Sequence, residues 1–228
     1  MKVSIVFPAR NEELTIERCI VKAREALHRY TCEVEILVCD SSTDSTPQSA
    51  RNLGAVVICC STLGYGYACR KGLEHCSGDV MVLCDADGTY PLGELQSFID
   101  PLTSGEADMV LGNRFASSME HGAMPWHHKY IGNPFLTKVL NLLFGMDIND
   151  AHCGMRALTR GAYEKMNLKC DGMEFASEML VEAKRCGLTI GQVPIPYFSR
   201  GSPSHLNSLS DGWRHFWFLL SSWVRSHE

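Results

Sequence analysis

A chain of 228 residues with 45% hydrophobic and 21% charged side chains has the material for one large domain and a sizeable core. Its net charge of −5, without a long basic run, excludes a general attraction to nucleic acid, so any anion it holds is held by a few local groups. No apolar stretch reaches the roughly 20 residues of a bilayer-spanning helix; the closest, FWFLLSSWV at 216–224, is interrupted by two serines.

In chain order, KVSIVFP (2–8) reads as a strand, followed by a helical pattern from Glu12 to about Tyr30. VEILVC (34–39) is a second strand; the turn-rich DSSTDST then leads into a short helix near Thr46, with Asp44 as its expected N-cap. AVVICC (55–60) is a third strand, and GYGYACRKGLEHC (64–76) has helical spacing after a glycine-marked start. DVMVLC (79–84) and ADMVLG (107–112) are the fourth and fifth strands, separated by a helix near 91–102. Strands alternating with helices imply an α/β fold with a mostly parallel sheet, whose ligands bind beyond the carboxyl ends of the strands.

The second half is less regular. Residues 113–125 read as a loop and 126–144 as a helix that Pro134 bends or divides. DINDAHCGMRAL returns the chain towards the sheet, and MEFASEMLVEAKRCG (173–187) is an amphipathic helix closed by Gly187. LTIGQVPIPYF is extended, its prolines favouring an edge. A polar tail, SRGSPSHLNSLSDG, precedes a terminal helix starting near Asp211, so the expected division is 1–210 for the main domain and 211–228 for an aromatic, amphipathic helix. Eleven cysteines occur without one C-x-x-C, which sets aside zinc-ribbon and thioredoxin spacings. The opening MKVSIVFPARNEE is charged too early for a secretory leader. A cytoplasmic protein with free thiols is the expectation.

The chemistry concentrates in VMVLCDADGTYP (80–91), where an apolar strand ends in Asp85 and Asp87. Two carboxylates that close repel unless water or a cation sits on them. A hard divalent ion, Mg²⁺ or Mn²⁺, would neutralise both and share its remaining positions with substrate phosphates. The alternative is a solvated turn leading into the next helix.

VSIVFPARNEE, VCDSSTDST, GYGYACRKGL, CDADGTYP, LGNRF and DAHCGMRAL stand in the order seen in family 2 glycosyltransferases of the GT-A fold, which this sequence resembles. VPIPYFSRGSPSHL resembles the closing segment of the dolichyl-phosphate mannose synthase branch. The resemblance implies an inverting transfer from a UDP- or GDP-linked sugar to a polyprenyl phosphate. Pro8, Arg10 and Glu12 would line the nucleotide pocket and Asp40 would reach the base or ribose. Gly64 and Gly66 would let the backbone approach the nucleotide, or else simply open a helix. Asp85 and Asp87 would bridge the metal to the diphosphate, with Thr89 standing where relatives often have Gln.

Asp150 matches the family's acidic residue on the acceptor side, the catalytic position, where it would orient a phosphate acceptor or take the proton of a hydroxyl one, with His152 either beside it or structural. Arg114 and Arg200 would hold phosphate oxygens, Arg200 from a closing tail, and His205 stands where relatives commonly have Lys. Glu174 and Glu178, one helical turn apart, are expected on the surface or between helices. The terminal helix would either pack on the domain or lie at a membrane interface. Many relatives continue into membrane helices where this sequence ends, which keeps a soluble enzyme with a small-molecule acceptor as the second reading. A sugar-nucleotide nucleotidyltransferase is disfavoured, because FPARNEE lacks a glycine-rich basic loop.

Overall fold

The computed structural model describes residues 1–28, 30–201 and 208–225, with side chains in the last segment from 210 onward. The first half folds as its periodicity predicts. Strand β1 (Lys2–Ala9) leads to helix α1 (Ile16–Leu27), β2 (Glu33–Asp40) to α2 (Thr46–Asn52), and β3 (Val56–Cys59) to α3 (Tyr65–His75). Strand β4 (Val80–Leu83) leads to α4 (Leu95–Thr103) and then β5 (Met109–Asn113). Helix α1 starts four residues later than its apolar pattern, because residues 12–15 are spent turning the chain away from β1; Thr15 Oγ1 donates back to the Glu12 carbonyl.

Seven strands form one sheet in the order β3-β2-β1-β4-β6-β5-β7, with β7 at Ile190–Pro194. All pairings are parallel except those of β6 (Arg156–Thr159), which runs antiparallel between β4 and β5. The sequence does not announce that reversal. The segment after β5 stays at the carboxyl rim through α5 (Asn133–Phe144), and without a crossover to the other edge the next strand can only run back. β4 and β5 are buried along their whole lengths, as expected of strands covered on both faces. β7 forms one edge and ends at Pro194, where a missing N–H costs no ladder bond.

Pro134 divides the 126–144 segment: a wide π-type turn over His128–Gly132 precedes α5, whose first turn holds the proline. Helix α6 (Arg160–Lys165), which the sequence reading lacks, follows β6 directly, and α7 (Phe175–Arg185) ends at Gly187, φ +67°. Helix α8 (Ser208–Val224) packs against α5 and α7. No helix among the described residues is long and apolar enough to cross a membrane. The eleven cysteines are free thiols.

Candidate active site

Three parallel strands deliver their loops to one place. Ala9 of β1 lies opposite Asp40 of β2, and Val6 of β1 opposite Leu83 of β4, so the segments after all three emerge side by side. After β1, Asn11 takes a left-handed conformation, φ 56°, which asparagine tolerates better than other side-chain-bearing residues. Its Oδ1 accepts from the Thr43 N–H at 2.9 Å, and its own N–H donates to Ser42 Oγ at 2.7 Å, tying the first loop to the second. Asp44 accepts from the Thr46 N–H at 3.0 Å and the Glu13 N–H at 3.3 Å. It therefore opens α2 from one position ahead of the N-cap residue, Ser45.

Between these loops lies a cleft of about 350 Å³. Of the residues singled out in the sequence, Pro8, Arg10, Glu12, Gly64, Asp85, Asp87 and Arg200 line it. Tyr65, Met173, Asp211 and Arg214 line it too, none of them a residue to which the sequence assigns a site role.

Asp85 and Asp87 are held differently. Asp87 is buried, and its Oδ1 accepts both the Thr89 N–H at 3.0 Å and the Thr89 hydroxyl at 2.6 Å. Thr89 thus orients Asp87. Burial first, and Asp87 second, push the Asp85 carboxyl up to about 7, against which Arg200 and a hydrogen bond from Tyr65 work. Asp85 Oδ1 is a buried acceptor without a hydrogen-bond partner. Behind it, a Cβ on Gly154 would lie 2.5 Å from Asp85 Oδ2, so the glycine of HCGM is what lets the two segments meet.

Arg200 is the positive group that faces this pair. Its Nη2 donates to Glu12 Oε1 at 2.8 Å and its Nη1 lies 3.4 Å from Asp87 Oδ2. The segment bearing it is strapped down rather than a loose tail. The Phe198 N–H donates to the Thr89 carbonyl at 3.0 Å, the Gly201 N–H to the Asp87 carbonyl at 3.3 Å, and the Tyr197 N–H to the Ser118 carbonyl at 3.0 Å. His205 lies outside the described residues.

Arg114 and Asp150 are placed otherwise than expected, on each other rather than on the cleft. Arg114 Nε donates to Asp150 Oδ2 at 2.7 Å and Nη2 to Oδ1 at 2.8 Å, with both side chains buried. The Arg114 N–H adds a third bond to Oδ2 at 3.1 Å. Both Asp150 oxygens accept from Arg114, and the Arg114 fork is spent on Asp150 rather than turned to the cleft. Tyr197 closes over Arg114, with the guanidinium carbon 5.0 Å from the ring centroid.

The remaining expectations divide as well. Asp40 is buried at the end of β2, one residue before the cleft-lining Ser41, and its Oδ1 lacks a hydrogen-bond partner. A Cβ on Gly64 would lie 2.3 Å from the Asp171 carbonyl oxygen and one on Gly66 2.4 Å from that of Cys170. The close approach those glycines allow is therefore to the chain's own 170–172 segment. Glu178 is not on the surface: it is buried and accepts the N–H groups of Lys169 and Cys170, each at 2.9 Å. Glu174 accepts the Gly172 N–H at 3.3 Å. The two acids together shape the wall that meets Gly64 and Gly66.

His152 stacks edge-on to His215 of α8, ring centroids 4.5 Å apart, and neither of its ring nitrogens has a hydrogen-bond partner. Burial, then the neighbouring His215, push its pKa well below the usual histidine range. Arg156, which no motif reading singled out, is buried and donates to the carbonyls of Cys153, Ala176 and Ala151 at 2.8, 2.6 and 2.7 Å. It fixes the 151–156 turn behind Asp85.

The model of the family described as "Glycosyl transferase family 2" matches residues 4–166. The low-salt glycan biosynthesis hexosyltransferase Agl6 of Haloferax volcanii is 44% identical over 218 residues, covering 96% of this chain and 53% of that protein. This chain therefore spans about half the length of that relative. A dolichyl-phosphate hexose transferase of the same organism is 32% identical, over 92% of this chain and 89% of its own length. A solved structure of glucosyl-3-phosphoglycerate synthase from Mycobacterium tuberculosis, in complex with Mn²⁺, UDP and glucosyl-3-phosphoglycerate, aligns with a TM-score of 0.75 at 25% identity. The alignment covers 97% of this chain and 79% of that one. The sheet order, the rim cleft and these matches agree: the fold is GT-A, and the chain belongs to glycosyl transferase family 2.

Proposed function

We propose that this chain transfers a sugar, with inversion, from a UDP- or GDP-linked donor to a polyprenyl phosphate. Mg²⁺ or Mn²⁺ would be held by Asp85 and Asp87 against the donor's diphosphate. The observation that carries this reading is the carboxylate pair itself. Two acids stand in one cleft, faced by Arg200, and one carboxylate oxygen lacks any donor. Among the described residues no group of three or more His, Cys, Asp or Glu is placed to hold a metal. Asp85 and Asp87 offer two hard oxygen ligands, and water and phosphate oxygens would share the remaining positions, a donor set that suits these ions. When bound, the ion supplies positive charge beside the departing diphosphate.

The chain's own residues do the rest. Thr89 fixes Asp87, Tyr65 steers Asp85, and Asp40 offers a buried, unpartnered acceptor that suits a base N–H. Arg200, already at the carboxylates, would meet phosphate oxygens as the donor enters. Asp150 supports a phosphate acceptor. A hydroxyl needs a base to take its proton, whereas a phosphate arrives ionised, and Asp150 is committed to Arg114. The name of one relative, dolichyl-phosphate hexose transferase, supports the same acceptor. Its phosphate would be met at the cytoplasmic side of a membrane, a reading supported by the free thiols. The likeness to glucosyl-3-phosphoglycerate synthase supports the second reading, a small soluble acceptor.

The test is a transfer assay pairing each of several UDP- and GDP-sugars with either polyprenyl phosphate in detergent or small hydroxyl compounds. Product on the lipid phosphate is expected. Product only on the hydroxyl compounds overturns the acceptor, and no product from any donor overturns the whole reading.

A further inference from the structure

Helix α8 turns its most apolar stripe away from the protein. Its inward residues His215, Leu219 and Ser222 are buried, and two of the three make polar contacts. Ser177 Oγ and His215 Nδ1 are hydrogen-bonded at 2.8 Å, and Arg185 Nη2 donates to the Ser222 carbonyl at 2.8 Å. Trp213, Trp217 and Val224, on one helical stripe with the half-buried Leu220, are left on the outer side, both tryptophans more than half exposed. A helix merely covering the domain would show the opposite arrangement.

The exposed apolar surface extends beyond α8. Trp213 stacks on Phe216 and Phe216 on Phe135 of α5, with centroids 6.1 and 6.4 Å apart. Phe135 is itself more than half exposed, and the turn that feeds α5 leaves Trp126 and Tyr130 in solvent. An exposed aromatic surface of this kind marks an interaction site.

Charge identifies the partner. Residues 120–147 contain Lys129 and Lys138 with Glu120 and Asp147 at the two ends, and α8 with Arg225 adds two arginines against Asp211. Four cations to three acids, in a chain whose net charge is −5, is a local excess of positive charge, and the two lysines stand between the acids. Tryptophans and tyrosines among basic residues suit the headgroup layer of an anionic membrane. The surface also borders the cleft, because Asp211 and Arg214 of α8 line it.

We propose that α8 and the α5 segment together form a membrane-docking face that lies on anionic lipid and sets the cleft at the headgroup level. The proposal rests on the lipid-phosphate reading for its purpose but is tested apart from it, in the absence of any acceptor. The full 228-residue chain is sedimented with vesicles of phosphatidylcholine, with or without phosphatidylglycerol. Wild type should bind the phosphatidylglycerol vesicles, less so as salt rises. Trp213→Ser/Trp217→Ser should weaken that binding by about tenfold or more, with an unchanged melting temperature because both side chains are exposed. Lys138→Glu should weaken binding only where phosphatidylglycerol is present.

Transfer to a short, water-soluble prenyl phosphate should be unaffected by the tryptophan changes, while transfer to long polyprenyl phosphate in vesicles should fall with the binding. Wild type that ignores both vesicles, or a double variant that binds like wild type, overturns the proposal. So does a dimer that dissociates on Trp213→Ser/Trp217→Ser without any vesicle binding. If vesicles bind as expected yet no lipid phosphate is glycosylated, the acceptor reading fails and the docking face stands.

Discussion

Two carboxylate sites stand at the same rim of the sheet, and the chain treats them in opposite ways. At Asp150 the charge is settled internally: a buried, bidentate arginine engages both oxygens. At Asp85 and Asp87 it is left unsettled. One arginine is shared among Asp87, Glu12 and the field of Asp85, one oxygen has no donor, and burial has pushed a carboxyl up to about 7. A site kept short of positive charge is where an outside cation and an outside anion gain most.

The contrast can be broken most severely at the unsettled site. Asp85→Asn should lower transfer on the order of a thousandfold, the scale of losing an electrostatic group from a reacting centre. The unliganded protein should nevertheless be no less stable at pH 8. The folded-state pKa is raised, so stability is lost as pH climbs from the ordinary carboxylate range to about 7 and stays lost above it, and the amide removes that loss. Rate assays and calorimetry at pH 8 read the two halves.

The settled site should behave the other way round. Arg114→Met leaves Asp150 charged and buried alone, which costs about 3–5 kcal/mol by denaturant melts. Replacing both partners, Arg114→Met with Asp150→Leu, should recover most of that loss and keep donor binding, since neither side chain lines the cleft. A joint variant as unstable as Arg114→Met alone would show that the pair does more than neutralise itself.

Smaller effects sharpen the picture from behind the cleft. Glu178→Gln replaces the acceptor of two backbone N–H groups and should cost about 1–3 kcal/mol. It should raise the donor KM more than it lowers kcat, because the 170–172 wall that it holds meets Gly64 and Gly66. Mildest of all is pH. Burial, then Arg156, push His215 down to about 4, so between the ordinary histidine value near 6.5 and about 4 the unfolded chain binds the extra proton. Stability should therefore fall as pH falls through that window, by at most about 1.4 kcal/mol per pH unit, and His215→Asn should flatten the slope.

What the sequence shows of this arrangement follows from the range of the forces involved. Asp40 and Asp85 were legible because each ends an apolar strand, and a parallel sheet puts strand ends together. Pro134 marked the start of α5 through its own missing N–H. The Arg114–Asp150 pair joins residues 36 positions apart, and no local pattern distinguishes an arginine reaching for phosphate from one reaching for an aspartate. Glu178 was misplaced for a similar reason. Helical spacing says which residues share a face, but not that the 169–170 backbone will cover it with two unmatched N–H groups. Tyr65 and Arg156 lie inside GYGYACRKGL and DAHCGMRAL, but their roles come from packing that no local pattern states. The antiparallel β6 depended on where α5 leaves the chain, a fact of topology rather than of composition.

The most direct test of the central claim, that Asp85 and Asp87 share a divalent cation with the donor's diphosphate, is calorimetric titration of the wild-type chain with UDP and with GDP, each in Mn²⁺ and again in chelator. One of the two nucleotides should bind at least tenfold more tightly with Mn²⁺, and Asp87→Asn should abolish that gain while leaving the weak, metal-free binding in place. Equal affinity in Mn²⁺ and chelator for the nucleotide that binds, or a Mn²⁺ gain that survives Asp87→Asn, would contradict it.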